Sequence, residues 1–179
     1  MIVIEGFDGS GKSTLAAAIA KRAGVPVLHT GGPTTSTSDV LMCLTRSENR
    51  MRDRCVQDRV THISESVYSM LTAPMKAALA LERLEEVRHA RMIIYCRPPL
   101  ATLMQALASH KNEEYDTPAF MTFVRQNAMA LVSIYDTIMT RVSNINGIRF
   151  MIYDRTVCTS IDAAIDYIDS TGVFKNGNR

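Results

Sequence analysis

Short apolar runs alternate with longer stretches of helical periodicity along the whole chain. The candidate strands are Ile2-Val3-Ile4-Glu5, Pro26-Val27-Leu28-His29, Cys55-Val56-Gln57, Met92-Ile93-Ile94-Tyr95 and Phe150-Met151-Ile152-Tyr153. Their apolar character is continuous rather than alternating, the pattern of strands covered on both faces, as in a parallel sheet. The helical stretches between them supply the covering layers, and right-handed crossovers then build a three-layer α/β domain. No internal repeat and no linker divides it, so residues 1–179 read as one domain.

Several helix starts are explicit. Thr117 precedes Pro118, an N-cap residue followed by proline at the first helical position. From there Phe120, Phe123, Val124, Leu131, Ile134, Tyr135, Ile138 and Val142 recur at helical spacing, which predicts one long amphipathic helix. Its exposed face would suit a homodimer. Thr159 and Asp162 form a capping-box pattern for a last helix that buries Ile161, Ala164, Ile165 and Ile168. The polar tail, residues 175–179, is expected to fray.

Composition narrows the class. With 46% hydrophobic and 21% charged residues the chain is neither collagen-like, low-complexity nor disordered. A formal charge of +2 neither demands nor excludes a polyanionic partner. Cys43, Cys55, Cys96 and Cys158 are widely spaced and contain no CxxC pair, which reads as a reduced protein without a zinc site. The opening residues lack the features of a signal peptide, and no apolar stretch approaches a bilayer span. A cytoplasmic chain without a membrane partner is expected. The eleven methionines read as adaptable core filling.

One motif carries specific chemistry. Gly6-Phe7-Asp8-Gly9-Ser10-Gly11-Lys12-Ser13 fits G-x-x-x-x-G-K-[ST], directly after a predicted strand and before a helix predicted over residues 13–22, with Thr14 next. Backbone N–H groups of such a loop cradle nucleotide phosphates at a helix N-terminus. Lys12 would neutralise the β/γ oxygens and the Ser13 hydroxyl would coordinate Mg²⁺. The expected ligand is a nucleoside triphosphate. In an open parallel sheet ligands bind beyond the carboxyl ends of the strands. Asp8, His29, Asp58, Arg59 and Arg97 all fall at such ends.

The opening phosphate loop, Asp58-Arg59 after the third strand, and a Ser/Tyr-containing helix over residues 63–71 together resemble the thymidylate kinase family. The resemblance implies a P-loop kinase fold with a five-stranded parallel sheet flanked by helices, ATP and Mg²⁺ as cofactors, and a thymine-derived acceptor. It also implies that Asp8 contacts the acceptor sugar and that Asp58-Arg59 sits beside the acceptor and transferred phosphate. The chain departs from the family in three places. His29-Thr30-Gly31-Gly32-Pro33 stands where thymidylate kinases commonly carry an arginine for the acceptor's 5′-phosphate. The lid stretch, residues 109–116, has neither arginine nor glycine, and Tyr95-Cys96-Arg97-Pro98-Pro99 replaces the usual segment after the fourth strand. Those segments are similar to the bacteriophage branch of 5-hydroxymethyluracil DNA kinases, which phosphorylate a base hydroxymethyl group in viral DNA during thymine hypermodification. The leading expectation is that activity. The alternatives are a thymidylate kinase acting on free dTMP and a regulatory P-loop ATPase.

The acceptor decides what the side chains must do. A phosphate monoester is already an anionic nucleophile, whereas a primary hydroxyl benefits from a carboxylate base. Asp58 is the preferred base and Asp8 the second; either could instead organise Mg²⁺ or bind the sugar, and a capping or turn carboxylate is the plainer reading of each. Arg59 and Arg97 are candidates for transferred phosphoryl oxygens, because a guanidinium binds phosphate in two places at once; the alternative is a surface ion pair. Arg46, Arg50, Arg52, Arg54 and Arg59 form either a DNA-contacting edge or, the favoured reading, a solvated mixed-charge face. Tyr68 is either a stacking platform for a pyrimidine or a core aromatic. His29, His110 and Lys111 are weaker acceptor or lid candidates, and Asp154-Arg155-Thr156 follows the fifth strand, where this fold packs adenine.

Overall fold

The computed structural model describes residues 1–29, 34–109, 117–158 and 160–173. In chain order it contains β1 (Ile2–Glu5), α1 (Lys12–Ala23), β2 (Val27–His29), α2 (Thr37–Arg50), β3 (Val56–Asp58), α3 (Thr61–Tyr68) and α4 (Pro74–Glu82). A 3₁₀ turn over Leu84–His89 leads to β4 (Met92–Cys96), α5 (Leu100–Ser109), α6 (Pro118–Gln126), α7 (Ala128–Ser143), β5 (Phe150–Tyr153) and α8 (Ile161–Ser170). All strand pairs are parallel, in the order β2-β3-β1-β4-β5. The expected three-layer α/β fold with a five-stranded parallel sheet is therefore present.

Alternating side chains of the central strands feed two cores. Ile2 and Ile4 of β1, with Ile94 of β4, face α1 and α8, where Leu15, Ile19, Ile165 and Ile168 close over them. Met1, Val3 and Ile93 face the opposite layer of α3, α6 and α7, built around Ile63, Val67, Leu131, Tyr135 and Ile138. β1, β3 and β4 are buried throughout, including the polar Glu5, Gln57 and Asp58, whereas the edge strands β2 and β5 are only partly covered.

Several boundaries differ from the sequence expectation, each for a local reason. β2 begins at Val27, since Pro26 has no N–H to give and contributes only its carbonyl, which accepts from Val56 N–H at 3.0 Å. β3 runs one residue further, so Asp58 closes the strand, paired in register with Ile4 and His29. The single long helix is two helices. Asn127 leaves the helical conformation (φ −111°, ψ 13°) and ends α6, its backbone N–H and side-chain amide both donating to the Phe123 carbonyl, at 3.0 and 2.9 Å, and α7 starts afresh. The Thr117-Pro118 start holds, with Phe120 N–H donating to Thr117 Oγ1 at 3.2 Å. The cap of α8 is Ser160, which accepts from Ala163 N–H at 3.0 Å; Thr159 lies outside the described residues. The helix expected over residues 63–71 spans Thr61–Tyr68. Residues 110–116, holding His110 and Lys111, and the tail 175–179 also lie outside the described residues, as do Thr30, Gly31, Gly32 and Pro33. Among the described residues no helix is long and apolar enough to cross a membrane.

Candidate active site

Because every strand runs the same way, the carboxyl ends of β1, β2, β3, β4 and β5 all lie at one edge of the sheet. The phosphate loop leaves β1 there and enters α1 through Gly11, which caps the helix in the left-handed conformation. Its course is fixed by crowding. A Cβ at Gly6 would lie 2.6 Å from the Cys96 carbonyl oxygen, and one at Gly9 (φ 76°) would lie 2.7 Å from the Ala106 methyl of α5. Only glycine fits both places, so β4 and α5 shape the loop from outside. Phe7 is buried in the core and its carbonyl accepts from Ser10 N–H at 3.1 Å, closing the turn. Ser10 Oγ is buried without a hydrogen-bond partner, while Ser13 and Thr14 are exposed on the first turn of α1.

Charge gathers on this loop. Lys12 is largely buried with Nζ 3.7 Å from Asp8 Oδ1. Burial and the nearby Arg59 cation pull its ammonium below the ordinary value, against Asp8, Asp58 and Glu5. Arg59 forms an ion pair with Asp8, and its guanidinium lies 5.1 Å from the centre of the Tyr68 ring. The Tyr68 hydroxyl donates to the other Asp8 oxygen at 2.8 Å. Burial opposes the Arg59 charge, but Asp8, the tyrosines and Glu5 hold it more firmly than an ordinary arginine. Asp58 is buried at the end of β3, with its Oδ2 3.4 Å from His29 Nδ1 on the adjacent strand.

The structure thus brings Asp8, Lys12, Arg59 and Tyr68 into one cluster and sets Asp58 with His29 beside it. Of its two expected settings Tyr68 takes the core aromatic one, its ring packing on Phe120 and Tyr135 at 5.7 and 6.0 Å. Arg97 sits at the carboxyl end of β4, where Nε and Nη2 hold the two oxygens of Asp136 at 2.7 and 2.9 Å and Nη1 donates to the Pro98 carbonyl at 2.8 Å. The Tyr95 hydroxyl donates to the same carboxylate at 2.8 Å. The arginine run divides. Arg50, Arg52 and Arg54 are exposed before β3, at the amino end of the sheet, whereas Arg59 follows β3 at the opposite edge.

Three residues escaped the sequence reading. Asp136 lies on α7, 39 positions from Arg97, and no local pattern connects them. Arg155 was weighed only as part of the segment after β5, yet its Cδ would lie 3.3 Å from a Cβ at Gly11, which puts its side chain over the mouth of the loop. Glu5 is wholly buried, its carboxyl pushed up to about 7 by burial against the pull of Arg59, Val60 N–H, Lys12 and Tyr135. A lone acidic residue closing an otherwise apolar run was the available signal.

The donor set also fits a hard cation. Ser13 offers an exposed hydroxyl at the first turn of α1, and Asp58 and Asp8 offer carboxylates at the same edge. Oxygen donors of this kind, few in number and completed by phosphate, are what Mg²⁺ takes, rather than a cage of protein ligands. Among the described residues there is no group of three or more His, Cys, Asp or Glu that could hold a metal ion.

This architecture is shared with solved structures of low sequence identity. The YorR protein of Bacillus subtilis, in complex with phosphorylated GDP, matches with a TM-score of 0.61 at 16% identity, over 99% of each chain. Deoxyadenosine kinase from M. mycoides with bound dCTP matches with a TM-score of 0.64 at 17% identity, over 95% of this chain and 100% of that one. The same enzyme with dCMP and a flexible dCDP matches at 0.62 and 17%, over 95% and 96%. The chain therefore has the fold of the P-loop deoxynucleoside kinases. No family model matches the sequence, and no curated protein does.

Proposed function

We propose that this chain is an ATP-dependent phosphotransferase that moves the γ-phosphate to a hydroxyl of a thymine-derived acceptor. The observation that carries the reading is the meeting of the glycine-shaped loop and Lys12 with Asp58 and Arg59, delivered by the next strand to the same edge. In this reading the loop N–H groups bind the polyphosphate, Lys12 and Arg59 draw charge off the transferring phosphoryl group, and Arg155 lies against the nucleotide. Ser13 would hold Mg²⁺, which would supply charge neutralisation on the polyphosphate, and Asp58 would be its second ligand only if it does not serve as the base. Asp58 takes the acceptor proton as the new P–O bond forms and the bond to the β-phosphate breaks; Asp8 is second in line. Asp8 and Tyr68 orient the acceptor sugar. Arg97 would reach phosphate only by releasing both oxygens of Asp136 and the Pro98 carbonyl, and Arg59 only by loosening its pair with Asp8; Arg59 ranks first because its pair already lies on the phosphate loop.

The leading acceptor is 5-hydroxymethyluracil in viral DNA. No arginine occurs between Arg22 and Arg46 or in the lid stretch, so the usual clamp for a terminal 5′-phosphate is missing from the sequence. Free dTMP is the second reading, favoured by the likeness to a kinase whose structure holds dCMP and dCDP and by the separation of Arg50, Arg52 and Arg54 from the site. Labelled ATP is incubated with hydroxymethyluracil-containing DNA, with dTMP, or with no acceptor. Label on the DNA supports the first reading, and label in dTDP replaces it with the second. Phosphate release indifferent to acceptor would make the protein an ATPase.

A further inference from the structure

We propose that Glu5 is the positioning residue that holds Arg59 against the phosphate loop; its catalytic consequence rests on the phosphotransfer reading above. Glu5 closes β1 on the face that meets α3 and α7, and no part of it reaches solvent. Its Oε1 accepts from the backbone N–H of Val60 at 2.6 Å, and its Oε2 accepts from the Tyr135 hydroxyl at 3.2 Å. Val60 is the N-cap of α3 and offers no side-chain oxygen of its own. The carboxylate of a distant strand therefore satisfies a donor at the start of this helix.

The turn that it holds is unusual. Arg59 has φ 68°, and among the described residues it is the sole non-glycine with positive φ. A left-handed arginine is sterically disfavoured, and persists where its surroundings impose it. Here two consecutive amides point back to the end of β1. Arg59 N–H donates to the Ile4 carbonyl at 2.9 Å, and Val60 N–H donates to Glu5. With the backbone pinned at both, the Arg59 side chain crosses the face of Tyr68 and reaches Asp8. Tyr135, held by Glu5, forms the edge-on wall behind Tyr68 at 6.0 Å. A buried carboxyl is expensive to keep in a core position next to Val3, and an apolar residue would pack there at less cost. Its two acceptors are what the turn and Tyr135 require.

The test is a mutant cycle read in two ways. In the ligand-free protein, the Arg59 Nη2 proton resonances of the wild type should be protected from solvent exchange by the pair with Asp8. Glu5→Ala should abolish that protection, while Glu5→Gln, whose amide oxygen still accepts from Val60, should retain it. ATP turnover, with whichever acceptor is active or with water, should fall about 100-fold in Glu5→Ala, the scale of a misplaced catalytic group. It should fall less than threefold when Glu5→Ala is introduced into an Arg59→Ala background. Equal losses in both backgrounds, or an Arg59 resonance unaltered by Glu5→Ala, would overturn the proposal. If Glu5→Ala does not fold, Glu5→Leu refills the volume without an acceptor and carries the same comparison. A wild type that turns over no ATP at all would sink the phosphotransfer reading, and the resonance alone would then judge the positioning.

Discussion

Lys12 illustrates how far one side chain can be read. Its place in the motif, its burial and its approach to Asp8 agree, so Lys12→Ala should abolish transfer to any acceptor while the circular dichroism spectrum stays native. Asp58 is read less directly, since its pairing with His29 depends on strand register rather than on neighbouring sequence. If it accepts the hydroxyl proton, Asp58→Asn lowers turnover by about 10²- to 10⁴-fold at unchanged ATP affinity, and an unaltered rate would remove it from that role. Glu5 was legible only as a strand residue, because its importance comes from Val60 and Tyr135, 55 and 130 positions away. Its chemistry makes a pH prediction. The ordinary value is 4.5 and the folded value about 7, so between them the native state keeps a proton that the unfolded chain has released. Stability from this group is full at low pH and is lost as pH rises through that window, on the order of 3 kcal/mol in all. Urea unfolding at pH 5 and pH 7.5 should show the decline in the wild type and a smaller one in Glu5→Gln.

At the scale of elements, the phosphate loop and α5 act as one piece. Gly9→Ala would drive a methyl against Ala106, so nucleotide affinity should fall at least tenfold, and Ala106→Gly in the same chain should recover part of it by removing the opposing methyl. No recovery would mean that the backbone of Gly9, at φ 76°, dominates. Caps were partly visible in the sequence. Thr117-Pro118 announced α6 because cap and proline are adjacent, whereas the cap of α8 lay one residue beyond the expected one. The break between α6 and α7 left no mark on the apolar periodicity, since Val124, Leu131 and Tyr135 stay buried on both sides of Asn127.

For the molecule as a whole, sheet polarity sorts charge. Arg52 and Arg54 precede β3 and Arg59 follows it, so Arg52→Glu with Arg54→Glu should leave turnover within twofold, while Arg59→Ala should reduce it about 100-fold or more. A large loss in the double variant would show that the acceptor extends around the sheet to its far edge. The burial of β1 and β4 follows from their largely apolar runs, which need cover on both faces, whereas the burial of Gln57 and Asp58 in β3 and the order of the strands do not. The pairing of Arg97 with Asp136 does not follow, because contacts across layers depend on packing that no short segment encodes. The walls around Gly6 and Gly9 have a thermodynamic consequence. A cradle already shaped by its neighbours surrenders little freedom when a triphosphate arrives, so more of the contact enthalpy survives as affinity. Calorimetric titration should therefore record a small heat-capacity change, that of a rigid receptor, rather than the large one that accompanies a loop folding around its guest.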